Sequence, residues 1–130
     1  MTPQYILINK NGSKYYYKDK EMTILHREDG PAIEYADGYK GWYLNNELHR
    51  EDGPAVEDKW GYKAWYFNDK LHREDGPAVE YADGDKEWRL EGREYTEEEF
   101  KKKTAKEVVL TMDEIADKFG IDVSKLKIAK

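Results

Sequence analysis

The octapeptide Leu-His-Arg-Glu-Asp-Gly-Pro-Ala occurs three times, unchanged, at residues 25–32, 48–55 and 71–78 of this 130-residue chain. Aligned on it, the units run 25–47, 48–70 and 71–93, a period of 23 residues. Residues 5–24 read as a degenerate copy, with three extra residues, Met22 to Ile24, ahead of the first octapeptide. A fixed period in this range predicts stacked supersecondary units, none of which buries its apolar face alone.

Each unit reads as a β-hairpin. An Ala-Ile/Val-Glu run leads to a turn, and a Lys-x-Trp run follows it. Asp37-Gly38, Asp83-Gly84 and Asn11-Gly12 predict two-residue type I′ turns, in which both residues take positive φ. The middle unit keeps only the glycine, as Trp60-Gly61. Asn46-Glu47, Asp69-Lys70 and the octapeptide after each form the return path, where Asp-Gly-Pro is loop chemistry. Two strands in each of four units predict about eight antiparallel strands.

Alternation assigns faces. Trp42 with Leu44, Trp65 with Phe67 and Trp88 with Leu90 share one side; Tyr43, Tyr66 and Arg89 share the other. Trp beside Leu or Phe makes the better core, which places Tyr43 and Tyr66 on the wetter side. The degenerate copy adds Tyr16 to the Trp column and Tyr17 to the Tyr column.

Tandem units of the pattern Tyr-x-x-Gly-x-x-x-Trp-Tyr-x-Asn-x-x-x-His resemble MORN-like repeats, β-hairpin units of this length stacked into a curved ribbon. The octapeptide is similar to a variant of that repeat found in uncharacterised proteins of tailed phages and other viruses. The resemblance covers residues 5–94. It implies a non-enzymatic scaffold or binding protein. Ordinary MORN repeats carry glycine where this chain has His-Arg-Glu-Asp, so their lipid binding does not carry over.

The expected fold is therefore mainly β: a repeat domain over 1–94 forming an antiparallel meander, then a small α+β cap over 95–130. Thr96 to Glu99 and Thr111 to Glu114 each fit a capping box. The second helix is expected over about 112–119, ending at Gly120, with "KEVVLT" and "KLKIA" as strands beside it. Phe100, Ile115, Phe119 and Leu126 are the expected apolar contacts of the cap on the last hairpin.

Composition narrows the function. Apolar and charged residues each make up 38% of the chain, yet eleven Tyr, four Trp and three Phe argue against disorder. There is no cysteine, which excludes disulfides, thiolate metal sites and cysteine nucleophiles and fits a cytoplasmic location. The first residues carry no signal-peptide pattern, and no apolar run is long enough to cross a membrane. Residues 1–94 carry 14 Lys and Arg against 20 Asp and Glu. An acidic repeat disfavours nucleic acid as a partner.

His-Arg-Glu-Asp resembles acid–base machinery, but catalysis needs one convergent site and this set recurs at regular intervals. Equivalent histidines fall two strands apart, roughly 9–10 Å at the ~4.8 Å strand spacing. His26, His49 and His72 therefore cannot share one metal, whose bonds to nitrogen are about 2 Å. No metal or cofactor is expected. The octapeptide reads as a joint in which His26, His49 and His72 with Asp29, Asp52 and Asp75 close the turn, while Arg and Glu pair between units. Tyr17, Tyr43, Tyr66 and Arg89 form a row suited to a protein interface, and Arg27, Arg50 and Arg73 form a second candidate row. "MDEIADKFGIDVSKLK" has the spacing of a helix-turn-helix start, but only Lys125 and Lys127 lie near its recognition segment.

The reading reached is a binding protein for a macromolecule, in the phage setting a cytoplasmic accessory protein that inhibits a protein of the host cell. A binder that sequesters a signalling nucleotide through the arginine row is a second reading. A structural scaffold is a third, and an enzyme built on one octapeptide is the remaining one.

Overall fold

The computed structural model describes residues 4–105. The expected second helix near 112–119, its flanking strands, and Ile115, Phe119, Leu126, Lys125 and Lys127 lie outside the described residues. The described residues are mainly β, with thirteen short antiparallel strands and one helix.

The strands are β1 (Tyr5–Ile8), β2 (Lys14–Tyr17), β3 (Ile33–Glu34), β4 (Lys40–Gly41), β5 (Tyr43–Leu44), β6 (Glu47–Leu48), β7 (Val56–Glu57), β8 (Lys63–Ala64), β9 (Tyr66–Phe67), β10 (Lys70–Leu71), β11 (Val79–Glu80), β12 (Lys86–Leu90) and β13 (Arg93–Tyr95). Nine of them form one sheet in the order β1-β2-β3-β4-β7-β8-β11-β12-β13. The pairs β5-β6 and β9-β10 stand apart as two-stranded ribbons.

The expectation of about eight strands missed this fork. In the first two complete units the second strand leaves the main sheet at its tryptophan, whereas in the third β12 runs on unbroken through Trp88. Trp42 donates its N–H to Ala55 in the main sheet and accepts the His49 N–H from the octapeptide. Its two backbone groups thus serve different neighbours. The chain beyond it pairs locally, Tyr43 opposite Leu48 and Leu44 opposite Glu47.

The type I′ turns lie at the other end of the unit from where Asp-Gly placed them. Asn45 and Asn46 (φ 51° and 67°), Asn68 and Asp69 (47° and 68°), and Glu91 and Gly92 (49° and 85°) each provide the two positive φ angles. Asp37-Gly38 belongs instead to a three-residue loop. Tyr35 and Tyr39 close it, Gly38 donates to the Tyr35 carbonyl, and only the glycine turns left-handed, at φ 101°. The Asp37 carboxylate is engaged in accepting the Tyr39 N–H. This is a type I turn followed by a glycine bulge, the usual three-residue hairpin. In the degenerate copy the extra residues are held by Asp19, whose carboxylate accepts the N–H groups of Thr23 and Ile24.

Register places a charge ladder across one face of the main sheet. Lys14 stands opposite Glu34, Glu34 also opposite Lys40, and the row continues through Glu57, Lys63, Glu80 and Lys86. Unlike charges face each other at every step, each pair contributing about 0.2–1 kcal/mol.

The core is thin. Ile33, Val56, Ala64 and Val79 are buried on one face, and Ala32, Ala55 and Ala78 are fully covered on the other. Tyr39, Tyr62, Tyr66, Leu48 and Leu71 pack against the Val56–Ala64–Val79 cluster. The expected division into a core face and a wet face does not hold, because both sides are partly covered: Tyr16 is buried on the tryptophan side, and Trp42, Trp65, Tyr43 and Tyr66 are all half-buried. Tyr66 covers the aliphatic core, whereas Phe67 is 44% exposed. In a single-layer sheet, broad phenol rings can shield small aliphatic side chains while keeping their hydroxyls in water.

Candidate functional site

In each octapeptide the imidazole Nδ1 accepts a backbone N–H from the first residue of the same unit's type I′ turn. His26 accepts from Asn45 (3.1 Å), His49 from Asn68 (3.1 Å) and His72 from Glu91 (2.9 Å). The backbone of the octapeptide ties two units together: His49 donates to the Trp42 carbonyl and Arg50 to that of Tyr66.

The arginines turn inward. Arg27, Arg50 and Arg73 donate Nε–H to Asp29, Asp52 and Asp75 at 3.0, 3.0 and 2.9 Å. Each also donates to the carbonyl of its own octapeptide's proline, Pro31, Pro54 or Pro77. The guanidinium carbon of Arg27 lies 4.0 Å over the Tyr16 ring, that of Arg50 3.9 Å over Trp42 and that of Arg73 3.9 Å over Trp65. A Cβ on Gly30, Gly53 or Gly76 would come within 2.8, 2.9 and 2.8 Å of the same carbons. A side chain there would displace the guanidinium from its place between the aromatic ring and the loop backbone.

The expected Arg–Glu pairing between units is replaced by Arg–Asp pairing within one octapeptide. The ring of the preceding unit occupies one side of the guanidinium, and its own loop wraps the other. Glu28, Glu51 and Glu74 project outward, about four-fifths exposed.

Between the second and third octapeptides lies an open groove of about 1040 Å³. Trp65, Phe67 and Lys70 line it together with the carboxylates Glu51, Asp52, Glu74 and Asp75. Arg50 and Arg73 also line it, each already paired with its aspartate. The carboxylates are far more exposed than the guanidiniums, which sets the groove against a phosphate. Among the described residues, no group of three or more His, Asp or Glu side chains is placed to hold a metal ion.

The opposite face of the sheet is a field of tyrosines. By register and alternation Tyr17, Tyr43, Tyr66 and Arg89 lie on it, and so do Tyr15, Tyr35, Tyr39, Tyr62 and Tyr81, which the column reading passed over. Counting back two residues from Gly41 and Ala64 in the sequence finds Tyr39 and Tyr62; the loop residues Tyr35 and Tyr81 needed the hairpin closure itself.

These rings touch. Tyr35 stacks on Tyr39 with centroids 4.9 Å apart, Tyr15 meets Tyr35 edge-on at 6.1 Å, and Tyr62 tilts against Tyr81 at 5.7 Å. Burial, with neighbouring phenols adding repulsion, pushes the Tyr39 hydroxyl up to about 12. Burial likewise raises Tyr43, Tyr62 and Tyr66. Tyr81 is pushed up to about 12 chiefly because it donates to the Glu87 carboxylate. That bond, and Arg89 after it, holds Glu87 below the usual carboxylate range. Arg89 is clamped by Glu87 at 2.7 Å and Glu94 at 3.3 Å.

Tyr81 is the one tyrosine among the described residues whose hydroxyl donates within the chain. The face therefore offers apolar rings and free O–H donors, with acidic groups concentrated near its Glu87 end. No protein-family model matches the chain, and no curated protein or solved structure matches it.

Proposed function

We propose that this chain is a non-enzymatic protein-binding module whose working surface is the tyrosine face. The observation that carries this reading is the contiguous set of half-covered rings, Tyr35, Tyr39, Tyr43, Tyr62 and Tyr66, with hydroxyls free to donate. Aromatic side chains in such settings dominate the binding energy of protein interfaces. In the phage setting that the repeat resemblance implies, the partner is a host protein and the effect is inhibition.

The octapeptides serve as joints of a stacked-hairpin ribbon. Their arginines are engaged with Asp29, Asp52 and Asp75, which argues against the nucleotide-sequestering reading. The helix α1 (Glu97–Thr104) acts as the end cap of the stack. Phe100 lies against Trp88, centroids 5.0 Å apart, where Arg50 and Arg73 cover the equivalent Trp42 and Trp65.

The test is affinity capture from bacterial lysate with the tagged full chain and with the double substitution Tyr43→Phe, Tyr66→Phe. The phenylalanines keep the packing and remove two donors. Two interfacial hydrogen bonds at about 0.5–1.5 kcal/mol each amount to roughly a thirtyfold loss of affinity for the captured partner. Unchanged capture by this pair, together with loss in a Glu51→Gln, Glu74→Gln chain, would move the working surface to the groove.

A further inference from the structure

We propose that the tyrosine face recognises a proline-rich segment in the polyproline II conformation, lying across the strands; this rests on the reading of that face as the binding surface.

The first argument is pitch. Aromatic pairs recur beside alternate strands of the main sheet: Tyr39 and Tyr43, the latter in the β5 ribbon, flank Gly41 of β4, and Tyr62 and Tyr66, the latter in the β9 ribbon, flank Ala64 of β8. The aliphatic residues Ile33, Val56 and Val79 lie on the strands between. Two strand spacings come to roughly 9.4–9.8 Å. A polyproline II helix repeats every three residues, about 9.3 Å. A segment crossing the strands thus presents the same edge to each successive row, one proline for every unit of the protein.

The second argument is hydrogen bonding. Polyproline II has no internal hydrogen bonds, and a proline run contributes carbonyl acceptors but no N–H donors. The surface that complements it offers donors above apolar rings. Tyr39, Tyr43, Tyr62 and Tyr66 are rings of that kind, with no hydroxyl bond inside the chain among the described residues. A β-strand ligand would need backbone acceptors as well, and the middle strands of this sheet already pair on both sides.

The third argument is charge. Asp58, Asp85, Glu87 and Glu94 lie on this face by register, and Arg89 is already held by two of them. The lysines of the main sheet, Lys14, Lys40, Lys63 and Lys86, all lie in the ladder on the other side. A cationic residue at one end of the proline run therefore finds uncompensated carboxylate, and the third-unit end of the face fixes the orientation of the ligand.

The experiment titrates the full chain, labelled with nitrogen-15, with two acetylated peptides of equal length and charge. One is an arginine followed by nine prolines; the other is an arginine followed by glycine and serine. The proline peptide is expected to bind at least tenfold more tightly and to shift the amides of Tyr39, Tyr43, Tyr62 and Tyr66. Tyr43→Phe with Tyr66→Phe should weaken it at least fivefold in a chain with unchanged circular dichroism. Equal binding of the two peptides, or shifts confined to the octapeptide loops, overturns the proposal. If lysate capture depends on these tyrosines while the proline peptide fails to bind, only the ligand class is wrong. If neither depends on them, the working surface itself is wrong.

Discussion

At the residue scale the structure turns on how Arg50 is enclosed. Its guanidinium stacks on Trp42, pairs with Asp52, donates to the Pro54 carbonyl and passes closely over Gly53. Asp52 is 88% exposed, so its ion pair is of the surface kind, worth about 0–1 kcal/mol. Asp52→Ala should therefore cost less than ~1 kcal/mol in chemical denaturation. Arg50→Ala should cost more, because it uncovers Trp42 and leaves the carbonyl unpaired. Gly53→Ala should cost about 1–3 kcal/mol by displacing the guanidinium. In an Arg50→Ala background that penalty should vanish, a coupling that a double-mutant cycle reads directly. The sequence made the octapeptide visible but not the arginine's partners, since its ring lies in the preceding unit and only strand pairing brings them together. The tyrosines give a pH signature at the same scale. A phenol raised to about 12 in the fold, as at Tyr39, ionises in the unfolded chain near 10. The contribution of the neutral phenol is fully present below pH 10 and is lost as pH rises from there to about 12. Thermal melts between pH 8 and 12 should show this alkaline decline, and Tyr39→Phe should lessen it.

At the element scale the informative feature is where left-handed residues fall. Asp-Gly is so strong a hairpin signal that the sequence assigns it the two-residue turn, whereas Asn45-Asn46 and Asn68-Asp69 have no glycine to advertise them. Asparagine and aspartate tolerate positive φ, and the histidine Nδ1 rewards that geometry by accepting the first turn N–H. The third unit has Glu91 in the same place, at φ 49°. Glutamate pays a steric penalty there, so Glu91→Asn should raise stability by about 1 kcal/mol, measured by denaturant titration. Strand alternation was legible in the sequence, and so was the Thr96–Glu99 capping box, formed by reciprocal bonds of 2.9 and 3.1 Å. That both faces are covered was not. Hydrophobicity favours tryptophan over tyrosine, but here an arginine covers each of Trp42 and Trp65, a possibility that residue-type scales do not contain.

At the scale of the whole molecule, stacked units exchange contacts mainly with their neighbours, so a local injury should stay local. Phe100 is 3% exposed and lies against Trp88. Phe100→Ala should cost about 3–5 kcal/mol at that end. Hydrogen exchange should show amides of β12 and β13 losing protection while those of β3, β4 and β7 keep theirs. Uniform loss across the sheet would instead mean a single cooperative unit. The alternating ladder has a wider consequence. Each complete unit contributes one glutamate and one lysine to it, Glu34 with Lys40, Glu57 with Lys63, Glu80 with Lys86. Adding or removing a unit therefore leaves the alternation unbroken and its charge unchanged. Near-identical segments in a coding sequence invite slippage and unequal exchange, and in this fold such an accident yields a longer or shorter chain whose seam is already matched. Copy number is thus a variable that descent can adjust in one step, lengthening the tyrosine surface by a fixed increment without redesigning any residue.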